Sequence, residues 1–541
     1  MQGTRINDLA ATYRENGSWT DRLVDDDVRE AARTHPDEIV FVQGDRTITF
    51  GQFDELVDRL AAAITDAGVR QGEVVSWQLP NWIEAALVHH ATLRVGAVSN
   101  PIIPIYRERE VSFILREARS RLFFVPATYR RFDFTTFAAG LADTIDTLEQ
   151  VVLVGDGSSP LDGQTTFTRF LERDSGGVPS VERTADDIAL LLYTSGTTAD
   201  PKGVLHSHNT LNFENRSMIE LFELDEQSRV FMPSPVTHIT GLLYGVQLPF
   251  MLRTMCVFQD VWDAAKAVAL VDEHQCTFCV GATPFLHGLL AHTADRRPGD
   301  FSLRKFACGG ADVPPELVSR GVAQLDAFIT RAYGSSEFPT ALACAPGDDQ
   351  MKWATTDGRP IGATEVRIVD ELGEPLAQGA EGELQVRGAE LFLGYLDERL
   401  NADAFTSDGW FRTGDLGLED DEGFVAITGR KKDIILRGGE NISAKEIEDL
   451  LFTHPDIADV AVVGQPDPAM VERIRAVLVP RPGATVELSD LTRLLAQHGV
   501  AKQKYPEYLV IVDDLPRTAS GKVQKHILRA QARKDVEHDR H

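Results

Sequence analysis

The chain reads as an α/β protein. A large N-terminal domain of parallel-type sheets with helices and a β-rich subdomain is followed by a small α+β C-terminal lid domain. Three observations predict this. Short apolar runs alternate with helix-periodic segments over residues 1–180 and beyond, the pattern of strands covered by helices. From about Gly358 the character turns to short strands separated by Gly, Asp and Glu. After Gly429-Arg-Lys-Lys-Asp433 a compact mixture of both kinds begins. At 541 residues the chain also exceeds what one core supports, so at least two domains are expected. We divide it into 1–430, a hinge at 431–434 and a lid at 435–541.

Within the first domain, Phe53–Ala67 places Leu56, Leu60 and Ile64 on one helical face. Gly72–Trp77 reads as a strand, Trp82–Val95 as a helix, and Arg121–Pro126 contains another strand. Ile188–Tyr193 is a short apolar run ending in turn formers, so it should be a buried strand feeding a loop. Asn209–Glu223 and Asp263–His274 read as helices around a strand at Cys256–Gln259. Glu365–Val369, Glu383–Arg387 and Gly423–Ile427 are the strands of the β-rich part. In the lid, Ser443 and Glu446 are spaced as a capping box opening a helix whose Ile447, Leu450 and Leu451 share a face. Asp459–Val463, Ile474–Val479 and Tyr508–Val512 follow as strands, with Ser489–His498 as a second capped helix.

Composition narrows the function. The 54 basic and 82 acidic residues give a net charge of −28, which argues against a duplex nucleic-acid binder. Lysine is scarce, about a dozen against some forty arginines, and none precedes Lys202. An acidic, lysine-poor surface suits a protein kept soluble at high salt; a GC-rich genome producing an acidic protein is the alternative. Lys202, Lys431, Lys432 and Lys522 nevertheless fall inside the motifs below, where cations would meet polyanionic ligands. Five cysteines make no disulfide framework, and the apolar setting of Cys276 and Cys279 reads as buried thiols. The N-terminus lacks a signal-peptide core and no apolar run approaches a membrane span, so a cytoplasmic protein without integral membrane association is expected.

The most informative window is Tyr193-Thr-Ser-Gly-Thr-Thr-Ala-Asp-Pro-Lys-Gly203. It offers the hydroxyls of Thr194, Ser195, Thr197 and Thr198, the glycines Gly196 and Gly203, and one cation, Lys202. Small residues let backbone N–H groups turn toward an anion, hydroxyls donate to its oxygens, and lysine neutralises charge. The spacing is not that of a Walker loop, which needs G-x-x-x-x-G-K-S/T.

This window resembles the phosphate-binding signature of the acyl-adenylate-forming (AMP-binding) superfamily, which includes acyl-CoA synthetases, luciferases and peptide-synthetase adenylation domains. The resemblance runs from about Thr47 to Arg529, because further signatures follow in the family's order. Ala332-Tyr-Gly-Ser-Ser-Glu337 is similar to Y-G-x-T/S-E. The resemblance implies that Tyr333, Gly334, Ser335 and Ser336 border the nucleotide, and that Glu337, with Thr194, holds ATP's Mg²⁺. Gly309, Gly310 and Ala311 match the small-residue strand beside adenine and acyl group, with Asp312 where the family usually has proline. Thr413-Gly-Asp415 implies a ribose ligand in Asp415, and Arg430 a second one. Lys432 stands at the family's hinge. Gly438, Gly439 and Glu440 resemble the loop that accepts coenzyme A in the second half-reaction. Pro516-Arg-Thr-Ala-Ser-Gly-Lys522 matches P-K/R-T-x-S/T-G-K, whose lysine serves adenylation. Pro235-Val-Thr-His-Ile-Thr-Gly241 resembles the acid-binding segment. It nominates His238, Ile239, Thr240, Gly241 and Leu242 for the acyl pocket, with Tyr244 beyond; no aspartate there could pair an amino-acid amine.

The resemblance thus implies a carboxylic acid–CoA ligase using ATP, Mg²⁺ and coenzyme A, with Lys522, Glu337 and His238 catalytic. The partners would be a small carboxylic acid, ATP and CoA, the acid short- to medium-chain, cyclic or aromatic. A ligase loading an acyl-carrier protein, a luciferase-like oxygenase and a non-catalytic nucleotide sensor remain alternatives. Oligomeric state, monomer or homodimer, stays open.

Overall fold

The computed structural model describes residues 9–155, 160–172, 177, 181–194, 201–310, 312–518 and 522–538. Two large sheets form its body. One has nine strands, parallel through Phe328–Tyr333, Lys305–Gly309, Phe278–Gly281, Val230–Met232, Cys256–Phe258 and Ile39–Gln43, with antiparallel strands at both edges. The other has eight, built on parallel Val74–Trp77, Val98–Pro101, Leu122–Pro126 and Gln150–Val154.

Strands in parallel sheets are covered on both faces, which is why they read as continuous apolar runs rather than alternations. Every residue of Val74–Trp77 and of Leu122–Pro126 is buried. The helix Ile83–Arg94 is buried on all sides, and so carries no polar stripe. Its terminal Arg94 is fully buried, and three aspartates compensate it: Asp25 at 2.7 Å, Asp54 at 2.6 Å and Asp58 at 2.9 Å. Removing one partner of such a buried cluster would strand a charge.

A four-stranded antiparallel sheet follows (Glu365–Val369, Gly382–Arg387, Phe411–Glu419, Val425–Arg430). Its last strand ends at Arg430, and the next sheet begins at Ile435–Arg437. That final sheet has five strands and its own apolar core around Ile447, Leu451, Ile474 and Leu478. The single helical turn Lys431–Asp433 joins the two. Among the described residues no helix is long and apolar enough to cross a membrane.

Local expectations hold in kind and shift at their ends. Phe53–Ala67 is the helix Phe50–Asp66, started earlier because Thr49 and Gln52 form a capping box. Ser443 accepts from the Glu446 N–H at 3.3 Å as an N-cap should. The reciprocal half of that box is missing: the Glu446 carboxylate pairs with Lys504 at 2.6 Å instead. Ser489 is not a cap. The helix Leu488–Gln497 is capped one residue before its start by Glu487, which boxes with Asp490. All five cysteines are buried and free.

Candidate active site

The phosphate-loop window sits at the turn end of a hairpin. Ile188–Thr194 and Lys202–Ser207 pair antiparallel, with Tyr193 opposite Gly203 and Thr194 opposite Lys202. Ser195, Gly196, Thr197 and Thr198 lie outside the described residues, as does Ala311. The Lys202 ammonium stands 5.1 Å from the centroid of the Tyr395 ring, and the Tyr395 hydroxyl donates to Glu337 Oε1 at 2.9 Å. One tyrosine therefore links the loop cation to the candidate metal ligand. No sequence motif marks Tyr395; only the pairing of Gly394–Tyr395 onto Lys202–Ser207 brings it there.

Glu337 follows the strand Phe328–Tyr333 through a tight turn. A Cβ at Gly334 would collide with the Pro339 carbonyl, so only glycine permits this closure. Ser335 Oγ donates to Glu337 Oε2 at 2.7 Å, and His206 Nε2 donates to the Ser336 carbonyl at 2.7 Å. Burial lowers the His206 pKa to about 4, so at neutral pH its ring is uncharged and serves as a strut. Among the described residues no three His, Cys, Asp or Glu side chains cluster as a metal cage. Glu337, with the Ser335 hydroxyl beside it, is an oxygen donor of the kind Mg²⁺ takes when phosphate oxygens and waters fill its other positions.

Asp415 and Arg430 face each other across the strands Phe411–Glu419 and Val425–Arg430. The Arg430 guanidinium pairs with Asp415 Oδ1 at 3.0 Å, and the Tyr333 hydroxyl donates to Oδ2 at 2.7 Å. Three motifs separated in sequence thus share one hydrogen-bonded unit. It opens on a cavity of about 510 Å³ between the large and small domains, which Gly310, Gly334 and Asp312 also line.

From the small domain, Lys522 enters the same cavity. Its backbone N–H donates to Thr518 Oγ1 at 3.1 Å and its carbonyl accepts from the Thr518 N–H at 2.8 Å, so Thr518 and Lys522 are tied together. Burial, reinforced by Arg430, pulls the Lys522 pKa down to about 8; Asp415 and Asp312 oppose this. A lysine poised near neutrality in a cleft is a functional signature.

The remaining candidates lie apart. Gly438, Gly439 and Glu440 are exposed and do not line the cavity; Gly438 and Gly439 have φ of +59° and +93°. Lys432 is exposed in its single turn, while its neighbour Lys431 is tied to Glu383 at 2.9 Å and Asp433 to Arg529 at 2.7 Å. His238 precedes Ile239–Gly241 and the π-helical turn Leu242–Gln247. Its Nε2 is buried without a partner among the described residues, and burial lowers its pKa to about 4, leaving a neutral ring. Thr240 and Gly309 are half-buried, while Ile239, Gly241 and Leu242 are buried; none of the five lines the interdomain cavity. Tyr244 is fully buried with its hydroxyl held by Glu214 and, at 2.7 Å, by Thr340. Burial raises the Glu214 pKa to about 8, so this carboxyl is largely protonated at neutral pH.

Known proteins resemble the chain over most of its length. Residues 28–396 match the model of the AMP-binding enzyme family, and 446–522 that of the AMP-binding enzyme C-terminal domain. The chain is 35% identical over 523 residues to the medium-chain fatty-acid–CoA ligase of Escherichia coli strain K12, covering 96% of this chain and 92% of that one. It is 33% identical over 487 residues to the indoleacetate–CoA ligase of Aromatoleum aromaticum, 90% and 93% being covered. Among solved structures, ATP-bound MatB from Rhodopseudomonas palustris superposes with TM-score 0.84 at 26% identity, over 94% of this chain and 99% of that one. The apo form of the same protein gives 0.74 over 95% and 100%.

Proposed function

The chain belongs to the AMP-binding enzyme family, and we propose that it is an ATP-dependent ligase joining a carboxylic acid to coenzyme A through an acyl-AMP intermediate. The observation that carries this reading is the meeting of Tyr333, Asp415 and Arg430 with Lys522, from opposite domains, at one cavity. The Asp415–Arg430 pair, steadied by Tyr333, suits a ribose held by its hydroxyls.

In the first step a carboxylate oxygen attacks the α-phosphorus, the P–O bond to pyrophosphate breaks, and an acyl-phosphate anhydride forms. The Lys522 ammonium offsets the charge gathering on the α-phosphate and the incoming carboxylate. Glu337, braced by Ser335 and Tyr395, and Thr194 would hold Mg²⁺, which neutralises the departing phosphates when bound. Neutral His238 within the acid-binding segment can border the carboxylate without adding charge. In the second step the thiol sulfur attacks the acyl carbon, its proton is lost and AMP leaves; the anhydride makes AMP a good leaving group where a free carboxylate has none. For this the small domain turns about Lys432 and presents Gly438–Glu440. The better superposition on ATP-bound than on apo MatB supports the present orientation as the adenylating one.

The relatives named for medium-chain fatty-acid and indoleacetate ligation support an apolar acid of aliphatic or aromatic character. The test is pyrophosphate release and CoA-thioester formation over octanoate, cyclohexanecarboxylate, benzoate and indoleacetate. Acid-dependent pyrophosphate release without thioester would instead favour a carrier-protein acceptor.

A further inference from the structure

One departure from the family pattern lies inside the cavity. Asp312 occupies the position where proline is usual, just after the strand Lys305–Gly309. Its backbone is held by Thr283, whose hydroxyl donates to the Asp312 carbonyl at 2.7 Å. The residue lines the interdomain cavity and is exposed.

The cations that line the cavity with it pair off almost completely. Arg430 holds Asp415 at 3.0 Å, Lys445 holds Asp449 at 2.8 Å, and Lys525 holds Glu448 at 2.8 Å. Among the described residues two opposite charges in this cavity remain without an ion pair of their own, Asp312 on the large domain and Lys522 on the small one. Across a cleft with low-dielectric walls such charges interact beyond contact distance.

We propose that Asp312 is a positioning residue: it is the large domain's counter-charge for Lys522 and draws the small domain's cationic face onto the nucleotide cavity. The assignment rests on the adenylating role given to Lys522 above. Titration behaviour is consistent with it. Burial pushes the Asp312 carboxyl up, yet Lys445, Lys525, Lys522 and Arg430 outweigh this and hold it below the usual carboxylate range. Lys522 in turn feels burial, Arg430 and Lys432 lowering its pKa, against Asp415 and Asp312 raising it. Glu448 and Asp449 face the same space but are occupied by Lys525 and Lys445. Asp415, already shared with Arg430, is the larger anionic support of the Lys522 proton and Asp312 the second; removing the Asp312 charge leaves Asp415 alone in that role.

The experiment compares Asp312→Asn, Asp312→Ser and Asp312→Glu with the unaltered enzyme, using the panel acid that turns over fastest. ATP–pyrophosphate exchange is followed from pH 6 to 10, and thioester formation from supplied acyl-AMP is measured separately. Both uncharged variants should move the alkaline limb of exchange down by about one unit, which lowers exchange about fivefold at pH 8, since the lysine loses its proton sooner. Thioester formation should stay within about twofold, and Asp312→Glu should restore the limb. An unmoved limb, or equal loss in both half-reactions, overturns the proposal. Lys522→Ala in the same assays separates the two levels. If it spares exchange, the role given to Lys522 is wrong; if it abolishes exchange while Asp312→Asn and Asp312→Ser leave the limb in place, only the counter-charge is.

Discussion

Two motif-bearing edges of the small domain meet opposite environments. The turn at Lys522 is enclosed with Tyr333, Asp415 and Arg430, whereas the turn at Gly438–Glu440, on the same small domain, lies in solvent. Both edges match signatures of chemistry at one pocket, yet one rigid domain presents only one edge at a time. In the proposed two-step reaction the buried edge serves the first step, and the exposed glycines would serve the second after a turn of the domain. The linker is the proposed pivot. Lys431–Asp433 is a single turn of helix between two sheets, tied down through its outer members while Lys432 stands exposed.

The comparison breaks most sharply at the buried edge. Lys522→Ala should lower adenylation by about 10²–10³-fold, the scale of losing one charge-stabilising donor, and leave thioester formation from supplied acyl-AMP largely intact. Equal loss in both half-reactions would erase the distinction between the edges. Next in size, Lys432→Pro should do the reverse. Fixing φ near −65° at the turning point should cut thioester formation about tenfold or more, with pyrophosphate release preserved. Normal thioester turnover in that variant would move the hinge elsewhere.

A smaller, reversible perturbation uses pH. The Lys522 pKa of about 8 lies below the ordinary lysine value, so its charge is present below that pH and lost as pH rises through it. The kcat/KM for adenylation should therefore fall on an alkaline limb near pH 8, while the Gly438–Glu440 half-reaction should lack that limb. Two pH profiles, one per half-reaction, check this. The smallest effect concerns the surface outside both edges. If the net charge of −28 is a salt adaptation, Tm and activity should rise as KCl goes from dilute to molar, because screening relieves repulsion between like charges. A Tm highest in dilute buffer and falling with KCl would assign the acidity to genome composition alone.

Much of the site is legible in the order of residues. The strands that meet at Thr194 and Lys202 and the tight turn leading to Glu337 are local devices, which short-range backbone preference suffices to shape; the motif ending at Lys522 is legible as glycine, hydroxyls and one cation at short spacing. The Ser443 box is only half legible, because Glu446 has a distant competitor in Lys504. Tyr395, His206 and Glu214 are not legible at all. Each brings chemistry through a partner far off in sequence: Glu337 for Tyr395, Ser336 for His206, Tyr244 for Glu214.

The order of amino acids is enough to set the alternation of buried strands and helices, the succession of motifs and the residue types able to bind phosphate, ribose and metal. Periodicity and turn chemistry act over a few residues, and are readable there. Folding in three dimensions was needed to make Asp415, Arg430 and Tyr333 one hydrogen-bonded unit, to turn Lys522 rather than Gly438 toward it, and to leave Asp312 and Lys522 as opposite charges across the cavity. Those facts depend on sheet register and domain orientation, which set distances between residues well separated in the chain, Tyr333 and Asp415 being 82 positions apart, and desolvation and charge pairing act through such distances.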